Sequence, residues 1–304
     1  MGFTNLTKRA LETGLADPQA ALEMEAAVFL RISGTVYYVD NVDGDDNQDG
    51  RSWDSAFATI QAAITASNAT IDWSYTPKKY NHIFVKPGVY AENLTPPYYC
   101  TIEGLGIRGT DTAAEIHSAT GSCITGTFLG TVLDNLRMEV DAQDTPMLNL
   151  GICNNSRIQR SEFALGASVT GVAAIDTDNA THLVVVDNDF TSGMTQNMGY
   201  CAYHRGGADK YAHNVRYIDN RMWAKTAGIW IQNTCTASGA LAQYNHIWID
   251  AAGKGIDDNN GGMLISDNTI VGGAGADAIE TAGGAGMTTN NWVNIAGTSA
   301  RETA

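Results

Sequence analysis

"VVDNDFT" (185–191), "YIDNRMW" (217–223) and "LISDNTI" (264–270) share one pattern: an apolar string, a polar turn carrying asparagine, and a second apolar string. "VLDNLRM" (132–138), "IQRSEFA" (158–164), "AQYNHIW" (242–248) and "MTTNNWV" (287–293) follow it more loosely. Aligned on Asn135, Ser161, Asn188, Asn220, Asn245, Asn268 and Asn291, the copies recur at steps of 26, 27, 32, 25, 23 and 23 residues. A period in this range with two or three strands per repeat indicates a solenoid in which each repeat is one coil. Coils stack as neighbouring strands do, about 4.8 Å apart, so side chains at matching positions form columns. Asparagine suits such a column. Its amide donates to one neighbour and accepts from the next, and the residue tolerates the bent backbone of a turn.

A second marker keeps a similar period. "TGVAAID" (170–176), "MGYCAYH" (198–204), "AGIWIQN" (227–233) and "KGIDDNN" (254–260) each place a glycine before an apolar string, at steps of 28, 29 and 27. Upstream of the repeats, "TVYYVDN" (35–41) and "HIFVKPGVY" (82–90) read as strands from their β-branched and aromatic content. Between them, Phe57, Ile60 and Ile64 fall on one face of a helix expected over about residues 54–67, capped by Asp54 or Thr59. Residues 1–33 read as two short helices, the second opening at Asp17-Pro18 with an apolar stripe of Leu22, Ala26, Phe29 and Leu30. They form a helical arm that packs on its own domain or serves docking or oligomerisation, leaving 34–304 as the solenoid domain.

The net charge of −15 repels a phosphate backbone, so a nucleic-acid partner is not expected. It also disfavours uronic-acid polymers unless cations bridge the charges. No apolar run reaches the length of a membrane span and no secretory signal is read at the N-terminus, so no membrane partner is expected. The five cysteines, Cys100, Cys123, Cys153, Cys201 and Cys235, form no C-x-x-C pair and read as buried free thiols. The glycine-rich stretch 272–287 lacks the spacing of a phosphate loop and reads as tight turns.

The asparagine column and the glycine-led strands resemble right-handed parallel β-helix proteins of the pectate-lyase-like superfamily. "YYVDNVDGDDNQDGRSWDSAFATIQAAI…HIFVKPGVYAENL" is similar to the opening segment of that superfamily, where a strand, an Asp/Asn/Gly loop, a capping helix and a PG-x-Y-x-E strand begin the helix. "IEGLGI" (102–107) fits an early coil. The resemblance implies an all-β fold: a single-stranded right-handed parallel β-helix of roughly eight coils with an N-terminal capping helix. It implies no one activity, because this fold hosts lyases, hydrolases, epimerases, adhesins and virion proteins. Neither the basic residue beside calcium-binding carboxylates of pectate lyases nor the clustered aspartates of polygalacturonases is matched here. With the helical arm, the lack of a signal peptide and no matched catalytic set, the chain is read as similar to β-helix proteins of bacteriophage particles: capsid decorations, fibres and tailspikes. That likeness implies a homotrimer on a virion surface, made in the host cytoplasm, bound to other virion proteins through residues 1–33 and in contact with polysaccharide. The alternative is a polysaccharide lyase or glycoside hydrolase acting in a groove along the helix.

Five residues past the glycine of the second marker stand Asp176, His204, Asn233 and Asn260, with Asp178 and Arg205 close by. A carboxylate beside a histidine performs general acid–base chemistry, and paired carboxylates cleave glycosidic bonds. Asp176, His204, Asp178 and Arg205 are therefore the candidate catalytic set; an ordinary solvated turn explains the same column. Trp223, Trp230 and Trp248 recur on adjacent coils near Tyr200, Tyr203 and Tyr217, as sugar-binding faces or as a stacked interior or flank. In "GDDNQDGRSW" (44–53), Asp45, Asn47, Asp49 and Gly50 match the first half of a calcium loop, but Ala56 occupies the position of the bidentate glutamate. The stretch is expected to be a turn that ties the first strand to the capping helix, with calcium at Asp45, Asn47 and Asp49 as the other reading. No cofactor is required.

Overall fold

The structure is a computed structural model that describes residues 34–74, 79–108, 110, 112–166, 173–190, 198–207, 209–259, 261–281 and 287–302. The arm expected over 1–33 lies outside the described residues. From Val36 onward the chain winds as a right-handed parallel β-helix with three sheets. Sheet A stacks ten strands from Val36–Val39 to Met287–Thr289, sheet B ten from Gly88–Tyr90 to Thr298–Glu302, and sheet C nine. One coil shows the path: Ala173–Thr181 in sheet C, Val184–Val186 in sheet A, Asp189–Phe190 in sheet B. At the C-terminal end Thr298–Glu302 folds back antiparallel on Asn291–Ile295 and covers the edge of sheet B.

From the Val132–Asp134 strand onward, the bend from sheet A to sheet B is made by one left-handed residue per coil. Asn135, Arg160, Asp187, Asp219, Tyr244, Asp267 and Asn290 all have φ between 51° and 62°. Short amide and acid side chains tolerate that region best, which is why asparagine and aspartate predominate there. The residue after each bend turns inward. Asn188, Asn220, Asn245, Asn268 and Asn291 stand there, almost fully buried. Each Oδ1 from Asn220 to Asn291 accepts from both the backbone N and the Nδ2 of the asparagine one coil earlier, at 2.9–3.1 Å. The Nδ2 groups also donate to the carbonyls of Ile158, Val185, Tyr217, Ala242 and Ile265. Ser161 N donates to Asn188 Oδ1 at 2.9 Å, and Ser161 Oγ accepts from Leu136 N at 3.3 Å.

The ladder therefore runs through Leu136, and the alignment on Asn135 is one residue off. Asn135 occupies the left-handed bend and donates its Nδ2 to the carbonyls of Gly104 and Gly106. The sequence copy misled because asparagine suits both places.

Inward rows fill the coil. Leu133, Ile158, Val185, Tyr217, Ala242 and Ile265 are register partners in sheet A. In sheet B the buried row holds Met138, Phe163, Phe190, Met222, Ile247 and Ile270. Phe163 and Phe190 stack at 4.6 Å with 7° between ring planes. All five cysteines are buried and unpaired. Burial pushes the Cys100, Cys123 and Cys153 thiols up to about 12, which suppresses the reactive thiolate.

The N-terminal end is covered by a helix, but a shorter one than the pattern predicts. Trp53–Ser55 is a single 3-10 turn, and the α-helix spans Ile60–Ala69. Thr59, not Asp54, is its cap and accepts from Ala62 N. Phe57 lies ahead of the helix, bridged to Val39, so its side chain is buried from an extended segment. Two distant carboxylates take the free N–H groups. Asp46 accepts from Ala58 N, Thr59 N and Thr59 Oγ1 at 2.8–2.9 Å. Glu92 accepts from Ile60 N and Gln61 N at 2.9 and 3.0 Å. A helix start leaves such donors unpaired, and carboxylates suit its positive end. Glu92 is the glutamate of the PG-x-Y-x-E string, so that motif fastens the cap to the first coil.

Candidate functional site

Sheet C places the predicted site residues. Its register pairs Asp176 with Asn149 and Tyr203, Tyr203 with Trp230, Trp230 with Asp257, and Asp257 with Glu280. From Asp176 through Asp257 the step is constant (176, 203, 230, 257). The neighbouring row pairs Thr177, His204, Ile231 and Asp258. His204 therefore does not share a row with Asp176. A slip of one residue along a strand turns a side chain to the opposite face, and counting from the glycines introduced that slip.

His204 lies inside the coil with no exposed surface. Its Nδ1 is 2.7 Å from Thr177 Oγ1 and its Nε2 is 2.6 Å from the Tyr217 hydroxyl. Burial pulls its pKa down to about 4, so it is neutral at pH 7, with one ring nitrogen donating and one accepting. It serves the core and reaches no substrate. Asp258, on the same inward row, accepts from Gly261 N and Met263 N. Asn233 sits in the exposed turn after Ala227–Ile231, and Asn260 is outside the described residues.

The other predicted residues are held in ion pairs. Arg205 Nε and Nη2 donate to the two oxygens of Asp176 at 2.7 and 2.6 Å. Asp178 is paired with Lys210 at 2.7 Å. The structure thus brings Asp176 to Arg205 but sends His204 away from both.

Beside Asp176 stands a feature that the sequence reading named only in part. Tyr200, Tyr203 and Trp230 are half-buried and stack on one another. Their centroids are 5.2 Å apart for Tyr200–Tyr203, and 5.0 Å for Trp230 with each tyrosine, and all three interplanar angles fall between 22° and 24°. Tyr203 donates its hydroxyl proton to Gln232 Oε1 at 3.1 Å. Such an arrangement presents flat apolar faces with polar edges.

At the far end of the row, Lys254 donates to Asp257 Oδ2 at 2.9 Å and is also paired with Glu280. Asp257 is only 4% exposed. Burial pushes its carboxyl above the ordinary carboxylate range, against the pull of Lys254. Its Oδ1 and the Trp230 Nε1 are buried atoms without a hydrogen-bond partner. Each such atom costs about 1–3 kcal/mol. The constant step from Asp176 through Tyr203 and Trp230 to Asp257 was the signal in the sequence that could have found this row.

The other tryptophans stand elsewhere. Trp223 and Trp248 are register partners, half-buried on the outward face of sheet B, and Tyr217 is in the core. Also on sheet B, Glu115, His117 and Glu139 bring three potential metal-ligating atoms within 4.8 Å of one another. Arg137 already supplies positive charge there, lying 3.1 Å from Glu115, 2.7 Å from Glu139 and 3.3 Å from Glu162. Over sheet A a groove of about 870 Å³ is lined by His82, Phe84, Glu103 and Asp134. His82 is paired there with Glu103 at 3.0 Å, and Asp134 with Arg160.

The loop read for calcium is tied by its own hydrogen bonds. Asp45 Oδ1 accepts from Asn47 N and Nδ2, and Asp49 Oδ1 from Arg51 N and Ser55 Oγ. These bonds hold both carboxyls below the ordinary carboxylate range.

No protein-family model matches the sequence, and no curated protein matches it. Among solved structures, a pectin methylesterase from carrot is similar over 87% of this chain and 84% of its own, at 14% identity and a TM-score of 0.43. At that level the similarity says nothing about the chemistry of this chain.

Proposed function

We propose that this protein is a glycan-holding β-helix of a particle surface, a virion structural component of the capsid-decoration, fibre or tailspike kind, which binds polysaccharide through sheet C. The observation that carries the glycan half of this reading is the stack of Tyr200, Tyr203 and Trp230 on a regular, rigid sheet. Aromatic faces bury the C–H faces of sugar rings, and their edges keep hydrogen-bonding groups within reach. The structural half is supported by what the row lacks for turnover at Asp176, whose oxygens are both taken by Arg205, and by the internal place of His204. The assembly half rests on the apolar stripe of residues 1–33 as read from the sequence.

Affinity electrophoresis against a panel of neutral and acidic polysaccharides tests binding. Trp230→Ala is expected to abolish retardation while leaving the melting temperature within about 2 °C of the parent, because a half-buried surface ring carries little of the fold. Retardation unchanged by Trp230→Ala removes the platform. Light scattering tests the assembly, and a monomer at working concentration counts against the trimeric reading.

A second reading, polysaccharide cleavage, is favoured by one observation. Lys254 touches both Asp257 and Glu280, and burial raises the Asp257 carboxyl, as suits a general acid. Release of reducing ends, or absorbance at 235 nm for a lyase, that disappears in Asp257→Asn and Glu280→Gln would establish it. Activity that survives both variants would dismiss this pair.

A further inference from the structure

We propose that the sheet C platform selects uncharged sugar rings and rejects uronic acids, and that the partnerless Asp257 Oδ1 and Trp230 Nε1 mark the subsite for a ring hydroxyl. This inference rests on the glycan-binding reading above and adds the class of sugar.

The first ground is the pair of orphan atoms. Trp230 and Asp257 are direct register partners on adjacent coils. Trp230 Nε1 is a buried donor without an acceptor, and Asp257 Oδ1 a buried oxygen without a donor in hydrogen-bond geometry, the Asn259 side chain interacting with the same carboxyl. Asp257 is nine-tenths buried, and its other oxygen is already held by Lys254 at 2.9 Å. A hydroxyl group both donates and accepts, so a sugar hydroxyl suits either atom. A uronic acid offers the same ring hydroxyls, so its rejection comes from its carboxylate, a like charge brought beside Asp257. Both atoms are closed to solvent, so a sugar reaches them only if the Trp230 indole moves, and tryptophan fluorescence would report that movement.

The second ground is the charge of the face. Three cations there each have an acidic partner: Arg205 with Asp176, Lys210 with Asp178, and Lys254 with Asp257 and Glu280. Asp277 adds a further carboxylate as the register partner of Lys254. The rings are thus flanked by surplus negative charge, on a chain whose net charge is −15. Like charge in a partly desolvated site is a strong means of rejecting a partner.

The experiment titrates the full chain with cellohexaose, xylohexaose, mannohexaose and hexagalacturonate, read by calorimetry and by tryptophan fluorescence. At least one neutral oligosaccharide is expected to bind ten-fold or more tightly than hexagalacturonate. The fluorescence change is expected to vanish in Trp230→Phe. Asp257→Ala is expected to weaken the neutral ligand at least ten-fold at an unchanged melting temperature. Asp257→Asn, the milder change, is expected to weaken it several-fold and to narrow the gap to hexagalacturonate. Hexagalacturonate binding as tightly as the neutral sugars overturns the selectivity while leaving the platform. Neutral binding unaffected by both Asp257 variants overturns the hydroxyl subsite. Binding of none of the four overturns the glycan reading itself, and the inference with it.

Discussion

Two polar rows run along the same coils and differ in almost everything but their spacing. The inward row repeats one residue, and each asparagine amide from Asn188 to Asn268 finds its partner in the next copy. The outward row on sheet C runs Asn149, Asp176, Tyr203, Trp230, Asp257, Glu280, with no two neighbours alike. It contains two buried atoms without partners and a carboxyl held above its ordinary range. Stacking produces columns regardless of purpose. A column that satisfies itself contributes stability, whereas one that leaves donors and acceptors open costs stability and is where the proposed binding is placed.

The largest expected effect breaks the inward row. Asn220→Ala strips Asn188 N of its buried acceptor and Asn188 Nδ2 of one of its two, and removes a donor from the Val185 carbonyl and from Asn245 Oδ1. At about 1–3 kcal/mol per group, the loss should be at least about 3 kcal/mol in urea unfolding. Asn135→Ala, at the bend, should cost clearly less, because its amide is half-buried and donates to two carbonyls rather than joining the ladder. Equal losses would restore Asn135 to the ladder.

A pH titration of stability separates the rows by sign. His204 has a folded pKa of about 4 against about 6.5 unfolded. Its contribution is complete above pH 6.5 and is lost as pH falls toward 4, by up to about 3 kcal/mol. Asp257 works in the opposite direction, because its raised carboxyl favours the fold at low pH and ceases to do so as pH rises through its folded pKa. His204→Gln should flatten the wild-type slope between pH 6.5 and 4. An unchanged slope would mean that His204 is not the buried titrating group.

The smallest effect lies at the capped end. Asp46→Ala removes three hydrogen bonds at the helix start and should cost about 1 kcal/mol, seen as a lower melting temperature. Asp45→Ala disturbs only the local turn to Asn47 and should shift melting less. If chelator lowers the melting temperature and calcium restores it in wild type but not in Asp45→Ala, the loop is a metal site after all.

Much of the fold was legible in the chain. Repeated asparagines at 23–32-residue steps mark coils, and β-branched strings mark strands. Register to within one residue was not legible, and there the site reading failed. Asn135 and Leu136 exchanged roles because bend and ladder both accept asparagine. His204 was read beside Asp176 because glycines are not fixed markers of register in sheet C. The cap was half visible: Thr59 is a local signal, while Glu92 acts from 32 residues away.

By itself, then, the sequence determined the solenoid, its coil period, the buried thiols and the place of the cap, because these depend on side-chain type and spacing along the chain. Only the tertiary structure decided which face each residue takes. It put His204 against Thr177 and Tyr217 inside, and assembled Tyr200, Tyr203, Trp230 and Asp257 outside. The physical reason is the two-residue alternation of a strand. One residue of slip between coils leaves the period almost unchanged, yet it moves a side chain from water into the core.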